Sequence, residues 1–137
     1  MSGPYGKAMD LSRSAHVDTF CRDNLPPQDL WPEFHFDLPE LQYPDRLNCA
    51  ADLLDGVIAQ FGPDGGARPC LRTPDGTIWS YADLLGRANQ IANTLVNDHG
   101  LQPGNRVLLR GPNNPWLAAA WFGVLKAGGV VVPTMPM

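Results

Sequence analysis

The sequence has few cationic side chains, and they form no run. Lys and Arg number 10 against 14 Asp and Glu, so the formal net charge is −4. Only two lysines occur in the 137 residues, Lys7 and Lys126. Nucleic-acid-binding domains commonly carry a basic patch or stripe, and anionic membrane surfaces attract polybasic segments. We therefore expect neither nucleic acid nor a membrane as a partner.

Cysteine is also scarce. Cys21, Cys49 and Cys70 are odd in number and widely spaced, and no CxxC or Cys/His zinc pattern occurs. This usage predicts three unpaired, mostly buried thiols in a reducing cytoplasm. Residues 1–15 lack the apolar region of a signal peptide, which also favours a cytoplasmic location.

No apolar run is long enough to cross a membrane. The most apolar stretch, residues 116–133, contains Lys126 near its middle and then the helix-breaking pair Gly128-Gly129. A membrane-spanning helix needs about 20 predominantly apolar residues. The stretch therefore predicts a buried helix followed by a strand.

Sequence motifs that bind phosphate or metal are missing as well. The chain has neither GxxxxGK[ST] nor GxGxxG. The glycine-rich residues 62–66 follow a helical pattern instead of preceding one, so they predict a loop that presents no helix N-terminus to phosphate. No Asp or Glu stands at a metal-ligand spacing from a His. We therefore predict no catalytic, cofactor-binding or metal-binding residue in this chain.

The residues that could invite a catalytic role have structural interpretations. Lys126 ends an apolar helix, where a cation is favourable against the helix dipole. The two arginines that flank the first predicted strand are expected to reach solvent or pair with carboxylates. The histidines are interpreted as surface or loop residues, and the large aromatic residues near residue 120 as packing of the core. The arginines are Arg106 and Arg110, the histidines are His16, His35 and His99, and the aromatic residues are Trp116, Trp121 and Phe122.

Composition divides the chain into three parts. Residues 1–15 predict a flexible tail. Residues 16–46 combine five prolines with isolated aromatic residues, which predicts an extended arm pinned to a larger body by its aromatic side chains; the open alternative is a disordered linker. Residues 47–137 alternate helical and strand patterns and predict an α/β subdomain.

The subdomain's elements follow from periodicity and turn residues. A helix capped by Asn48 is followed by a hairpin over 68–72 and 77–80, then by a helix that Ser80 caps and Gly100 ends. The last part predicts a strand at 106–110, a helix at 115–127 and a strand at 130–133. The helix is hydrophobic nearly all round. Two wholly apolar strands need cover on both faces and a further strand beside them, so the sheet looks incomplete.

Three motifs in the second half resemble a known superfamily. They are WSYADLLGRANQIANTL at 79–95, QPGNRVLLRGPNNPWLAAAWFGVLKAG at 102–128 and LKAGGVVVPTMP at 125–136. Together they resemble the early motifs of adenylate-forming enzymes, which include acyl- and aryl-CoA ligases, peptide-synthetase adenylation domains and luciferases. The usual Pro-Gly-Asp-Arg-Val of that superfamily has Asn105 here in the acidic position. Residues 25–55, which include much of the arm, resemble the N-terminal arm of the benzoate and 2-aminobenzoate CoA ligase branch.

The resemblance implies an α/β fold that is a partial N-terminal domain of the adenylate-forming enzyme, with a β-hairpin, helices and one βαβ unit of a larger sheet. It implies a ligase that activates an aromatic carboxylic acid with ATP and transfers it to coenzyme A, with Mg²⁺. The family's phosphate loop, adenine and ribose contacts and catalytic lysine would all lie beyond residue 137. The fragment alone is therefore expected to be an inactive scaffold, whose partner is the remainder of its own domain.

Two alternatives stay open from the sequence. One is a self-contained interaction or regulatory module. The other is a fragment of a peptide-synthetase adenylation domain, which passes its acyl group to a carrier protein, although the arm favours the CoA-ligase branch. Exposed strand edges around Val130–Val132 would also favour self-association.

Overall fold

A computed structural model describes residues 13–134. Most of the predicted tail, residues 1–12, and the last residues of the third motif, 135–137, lie outside the described part. The helices are α1 (Phe20–Asp23), α2 (Val57–Gln60), α3 (Tyr81–Asn97) and α4 (Pro115–Lys126), and the strands are β1 (Pro69–Arg72), β2 (Ile78–Ser80), β3 (Arg106–Arg110) and β4 (Val130–Thr134). The predicted mixed α/β architecture is confirmed.

The first helix of the subdomain is capped as predicted but has an irregular middle. The Asn48 side-chain oxygen accepts hydrogen bonds from the backbone N–H groups of Ala50 and Ala51, each at 3.2 Å. The backbone then widens into a π-helix over Ala51–Gly56 before α2. Such wide turns are rare in helices, and apolar periodicity does not distinguish them from α-helix.

The glycine-rich segment after α2 is not the loop that the sequence predicted. It forms a 3₁₀-helix, Gly62–Ala67. Gly62, at φ 71°, turns the chain, and a Cβ at Gly65 would collide with the carbonyl oxygen of Ile58. The glycine therefore lets this turn pack directly onto the preceding helix, a tertiary contact that local sequence cannot show.

The hairpin and the α3 cap match the sequence expectations. β1 and β2 pair antiparallel, with Leu71 opposite Trp79. The Ser80 hydroxyl accepts the N–H of Asp83 at 3.1 Å, and the Asp83 carboxylate accepts the N–H of Ser80 at 2.9 Å. This reciprocal capping box starts α3 immediately after β2. At the other end Gly100, at φ 64°, turns the chain after the helix.

Strands β3 and β4 form a parallel pair with α4 as the crossover. Arg106 lies opposite Val130 and Arg110 opposite Thr134. The Asn114 side chain caps α4 by accepting the N–H of Leu117 at 3.0 Å, and Pro115 occupies the first turn. The predicted βαβ unit is therefore present, with its strands hydrogen-bonded as neighbours in a two-stranded sheet.

The core lies where α3 meets α4. Leu84 and Ala88 of α3 and Ala119 of α4 are at most 1% exposed, and Leu54 of the preceding helix joins them. Gly123 brings the helices close, since a Cβ there would lie 2.8 Å from Cβ of Ile91. Small residues at the crossing let the two backbones approach, and the larger leucines fill the space beside it.

Two burial expectations are wrong. Helix α4 is not buried all round, because Trp116 is 52% and Trp121 40% exposed, so these two rings do not pack the core as Phe122 does. One face of β3 is open, with Leu108 64% exposed, which agrees with the incomplete sheet that the sequence predicted. The thiols are not mostly buried: Cys49 is exposed and the other two cysteines are partly buried, although all three are unpaired as expected.

The arm's aromatic residues mainly contact one another. Phe34 and Phe36 stack with ring centroids 6.0 Å apart, and Tyr43 meets Phe36 edge-on at 6.4 Å. All three rings are 46–54% exposed. The Phe20 ring instead contacts the body, because the Arg106 guanidinium lies 4.7 Å from its centroid. The expectation that aromatic side chains pin the arm to a larger body stays a prediction.

Candidate functional site at the ends of the parallel strands

The carboxyl ends of β3 and β4 form the edge at which open α/β sheets generally bind ligands. Arg110 ends β3 with an exposed side chain, and Thr134 ends the adjacent strand. The Thr134 hydroxyl donates to the Leu109 carbonyl at 3.3 Å, and the Asn114 oxygen is used by the helix cap. Among residues 13–134, this edge offers one exposed cation and a capped helix N-terminus, without a nucleophile or base beside them.

The amino ends of the same strands hold the denser polar cluster. The Asp18 carboxylate accepts hydrogen bonds from the Asn105 amide at 2.9 Å and from the Arg106 guanidinium. The N–H of Phe20 donates to its other oxygen at 3.0 Å. The Phe20 N–H first, then the side-chain contacts with Asn105 and Arg106, hold the pKa of Asp18 below its usual range. This carboxylate is therefore an ionised structural acceptor and a poor general base at neutral pH.

Lys126 lies in an ion pair and not in a catalytic arrangement. Its Nζ is 2.6 Å from Oδ2 of Asp55, and its side chain is 16% exposed. The contact joins the end of α4 to the π-helical segment before α2. This placement agrees with the structural interpretation of the lysine.

An aromatic and cationic group lies on the outer side of the α3–α4 pair. Trp79 and Trp116 meet edge-to-face with centroids 5.2 Å apart, and the Arg87 guanidinium lies 5.2 Å from the Trp116 ring centroid. Rings in this geometry stabilise each other beyond their buried area. The group fastens β2 and α3 to α4, and it contains no acid or nucleophile.

The remaining reactive side chains are dispersed. His35 lies between Glu33 and Asp37, at 3.8 and 3.9 Å, on an exposed part of the arm. Partial burial raises the pKa of the Cys70 thiol, which makes it less nucleophilic. Within residues 13–134 no three His, Cys, Asp or Glu side chains are grouped to hold a metal ion, and no helix is long and apolar enough to cross a membrane.

The structure thus separates the residues singled out by sequence. Arg106 takes part in a cluster, whereas Arg110 and Lys126 lie apart from it. Sequence reasoning missed Asp18 entirely. The available signal was Asn105, whose amide replaces a commonly acidic residue and now donates to that carboxylate. The arrangement as a whole can position strands and loops, and its chemistry would need groups from outside these residues.

Comparison with protein families gives one domain match. A model described as "AMP-binding enzyme" matches residues 61–137, more than half of the chain. The matched part begins just before the hairpin and contains α3, α4 and both parallel strands.

Curated relatives include two kinds of enzyme. A long-chain-fatty-acid–CoA ligase from Bacillus subtilis is 32% identical over 103 residues, covering 70% of this chain and 18% of the ligase. Surfactin synthase subunit 2 from the same organism is 39% identical over 69 residues, covering 50% of this chain and 2% of the synthase. The chain therefore spans only a small part of these relatives.

Solved structures agree with the family match. Apo MatB from Rhodopseudomonas palustris superimposes with a TM-score of 0.56 at 32% identity, over 64% of this chain and 16% of MatB. The fatty acid AMP ligase from Legionella pneumophila gives a TM-score of 0.54 at 29% identity, over 66% and 16% of the respective chains. The hairpin, paired helices and parallel strands described above therefore form part of an established fold, and the chain belongs to the AMP-binding enzyme family.

Proposed function

We propose that this chain is a scaffold segment of an ATP-dependent acid–CoA ligase. In the proposed reaction a carboxylate oxygen attacks the α-phosphorus of ATP, and the bond to pyrophosphate breaks to leave an acyl-adenylate. The sulfur of coenzyme A then attacks the acyl carbon, AMP leaves, and the thiol proton is released. The acid is proposed to be aromatic, because the arm resembles the benzoate and 2-aminobenzoate ligase branch.

The family match over residues 61–137 carries the proposal. Its support includes the similarity to the Bacillus CoA ligase and the Legionella fatty acid AMP ligase. The character of the site supports the scaffold role. The described residues fit neither Mg²⁺, for which no acidic group converges, nor a nucleotide phosphate, for which no glycine-rich loop precedes a helix. ATP, Mg²⁺ and coenzyme A would be held by residues outside this chain, so no catalytic step is assigned within it.

A second candidate is an adenylation segment of a peptide synthetase. Surfactin synthase subunit 2 and several named nonribosomal peptide synthetases match about as well as the CoA ligase does. That enzyme would form an aminoacyl-adenylate from an amino acid in the same way and pass the aminoacyl group to a carrier-protein thiol, with release of AMP. The two candidates share the first half-reaction and differ in the acid and in the final thiol acceptor.

ATP–pyrophosphate exchange tests the scaffold role. The isolated chain is expected to show no exchange with benzoate, 2-aminobenzoate, a fatty acid or an amino acid, because no phosphate-binding loop is present. A chimera in which residues 61–134 replace the matching segment of MatB should retain exchange with the acid that MatB itself activates. A MatB variant lacking that segment is the matched control and should be inactive.

The outcomes separate the possibilities. Exchange by the isolated chain would overturn the scaffold role, and an inactive but folded chimera would show that this segment does not serve the adenylating fold. Joining the chain to further sequence of its parent protein and supplying either coenzyme A or a phosphopantetheinylated carrier protein then identifies the acceptor. Thioester formed only on the carrier would favour the peptide-synthetase candidate.

A further inference from the structure

The arm is seated on the turn before β3 by backbone contacts. The N–H groups of Val17 and Asp18 both donate to the Pro103 carbonyl, at 3.0 and 2.9 Å. Gly104, at φ 94°, presents its bare Cα to the arm, and a Cβ there would collide with the Asp18 carbonyl oxygen. The turn therefore forms a fitted seat in which the arm's backbone approaches closely.

The Asp18 side chain adds a charged contact to this seat. It accepts from the amide of Asn105 and the guanidinium of Arg106, while the same guanidinium lies over the Phe20 ring. One anion thus joins the arm to two consecutive residues at the start of the sheet. Because the carboxylate is partly shielded, at 25% exposure, it is screened by solvent less than a fully exposed group would be.

The orientation of Asn105 is fixed by a second hydrogen bond. Its side-chain oxygen accepts the N–H of Gln102 at 2.9 Å, which directs its NH₂ group to Asp18. An aspartate at this position could still accept from Gln102, but its other oxygen would then face the Asp18 carboxylate. Two carboxylates at hydrogen-bond distance repel each other unless one is protonated. The contact therefore requires an uncharged amide at position 105.

The other end of the arm is fastened at the same end of the βαβ unit. The Asn48 side chain donates to the carbonyls of Leu125 and Lys126, at 3.1 and 3.2 Å. That end of α4 leads directly into Gly128, whose carbonyl accepts the N–H of Gly104 at 2.8 Å. Residues 24–46 therefore form a loop whose two ends are fastened to neighbouring turns.

We propose that Asp18, Asn105 and Arg106 form a latch that decides whether the arm is a closed loop on the sheet's amino edge or a tail held only at Asn48. The latch is matched in charge: a carboxylate on the arm and an amide plus a guanidinium on the body. It is independent of the ligase proposal, since it depends only on contacts within the described chain.

Amide hydrogen exchange of Val17 and Asp18 reports the latch directly, because both N–H groups point into the seat. Asn105→Asp should speed their exchange about tenfold or more, because hydrogen bonds to charged groups are among the stronger ones. A tenfold change in exchange rate needs only a modest change in the free energy of local opening. Exchange at Ala88 in the core should stay unchanged. Asp37→Asn, which makes the opposite charge change at a 92% exposed arm carboxylate, is the matched control and should leave both amides protected.

The charge-swapped double variant Asp18→Asn with Asn105→Asp gives the decisive comparison. It restores one amide and one carboxylate beside Arg106, so protection of the arm should return most of the way to that of the original protein. Unchanged exchange in Asn105→Asp, or a double variant no better than the worse single variant, would overturn the latch. Should Asn105→Asp unfold the body, as loss of Ala88 protection would show, Asp18→Asn alone tests the same contact from the arm.

Discussion

The body, residues 47–134, and the arm, residues 16–46, are stabilised in different ways. In the body, side chains from three elements meet in a core in which Leu84 and Ala88 are at most 1% exposed. In the arm, large apolar side chains such as Leu30 and Leu38 remain 70% and 61% exposed. The arm's position depends on polar contacts at its two ends.

The difference shows that a segment rich in apolar side chains does not form a core unless its backbone places them on one face. The arm has as many large apolar side chains as a helix of the body, but its prolines prevent a regular element that would place them on one face. Its rings therefore stack with near neighbours in sequence. The body's helices repeat their apolar residues at 3.6 spacing and bury them against each other.

Leucine-to-alanine substitutions should give the largest contrast between the two regions. Leu84→Ala removes a fully buried side chain and is expected to lower the free energy of unfolding by about 2–5 kcal/mol. Leu30→Ala, the same chemical change in the arm, should stay within about 0.5 kcal/mol of the original protein. Urea unfolding followed by tryptophan fluorescence measures both. Equal losses would show that the arm contributes to the core in solution.

Two glycine-to-alanine substitutions compare a closely packed position with an exposed one within the body. Gly123→Ala places a methyl group 2.8 Å from Cβ of Ile91 and 3.0 Å from the Ala88 carbonyl, so we expect a loss of about 1–3 kcal/mol. Gly86→Ala lies on the exposed side of α3 with nothing within 4 Å. It should instead stabilise the protein by about 0.5–1 kcal/mol, the difference in helix propensity.

The sign of the two glycine effects is the test. If Gly123→Ala were neutral, the close approach of α3 and α4 would not be a constraint of the fold. If Gly86→Ala were destabilising, the outer face of α3 would have a partner in solution. Thermal unfolding monitored by circular dichroism distinguishes these outcomes without reference to the arm.

Local signals account for most of what the sequence predicted correctly. Asn48 and Ser80 each cap the helix that they were expected to cap, because a cap is decided by residues within three positions. Gly100, which was expected to end α3, has a positive φ for the same local reason. The parallel pairing of β3 with β4 followed from two apolar strands joined by a helix.

The errors concern contacts between distant segments. The 3₁₀-helix at Gly62–Ala67 depends on packing against Ile58. The exposure of Trp116 depends on which residues from other segments pack against its ring. The Asp18 contact joins residues 87 positions apart, with no periodic signal at either end. No catalytic, cofactor or metal site was predicted in this chain, and that remains a prediction.

Substitutions of helix-capping groups should give the smallest difference in stability between the body and the arm. Ser80→Ala should lower the free energy of unfolding by about 1 kcal/mol, because α3 is part of the cooperative core and its first turn loses a cap. Thr19→Ala removes the Thr19 hydroxyl's 2.6 Å hydrogen bond to Asp23 in the four-residue α1, and it should leave global unfolding unchanged. Equal effects would mean that α1 unfolds together with the body.

The pH dependence of the free energy of unfolding tests the capping carboxylate of Asp83. Hydrogen bonds from the Ser80 side chain and then its backbone N–H lower the pKa of Asp83. Its contribution to stability is therefore present above the unfolded-state pKa near 3.8 and is lost as pH falls through the lower folded-state value. Asp83→Asn should reduce the slope of stability against pH below about pH 4, measured by urea unfolding. Asp37→Asn, at a 92% exposed arm carboxylate that caps no helix, is the control and should leave that slope unchanged.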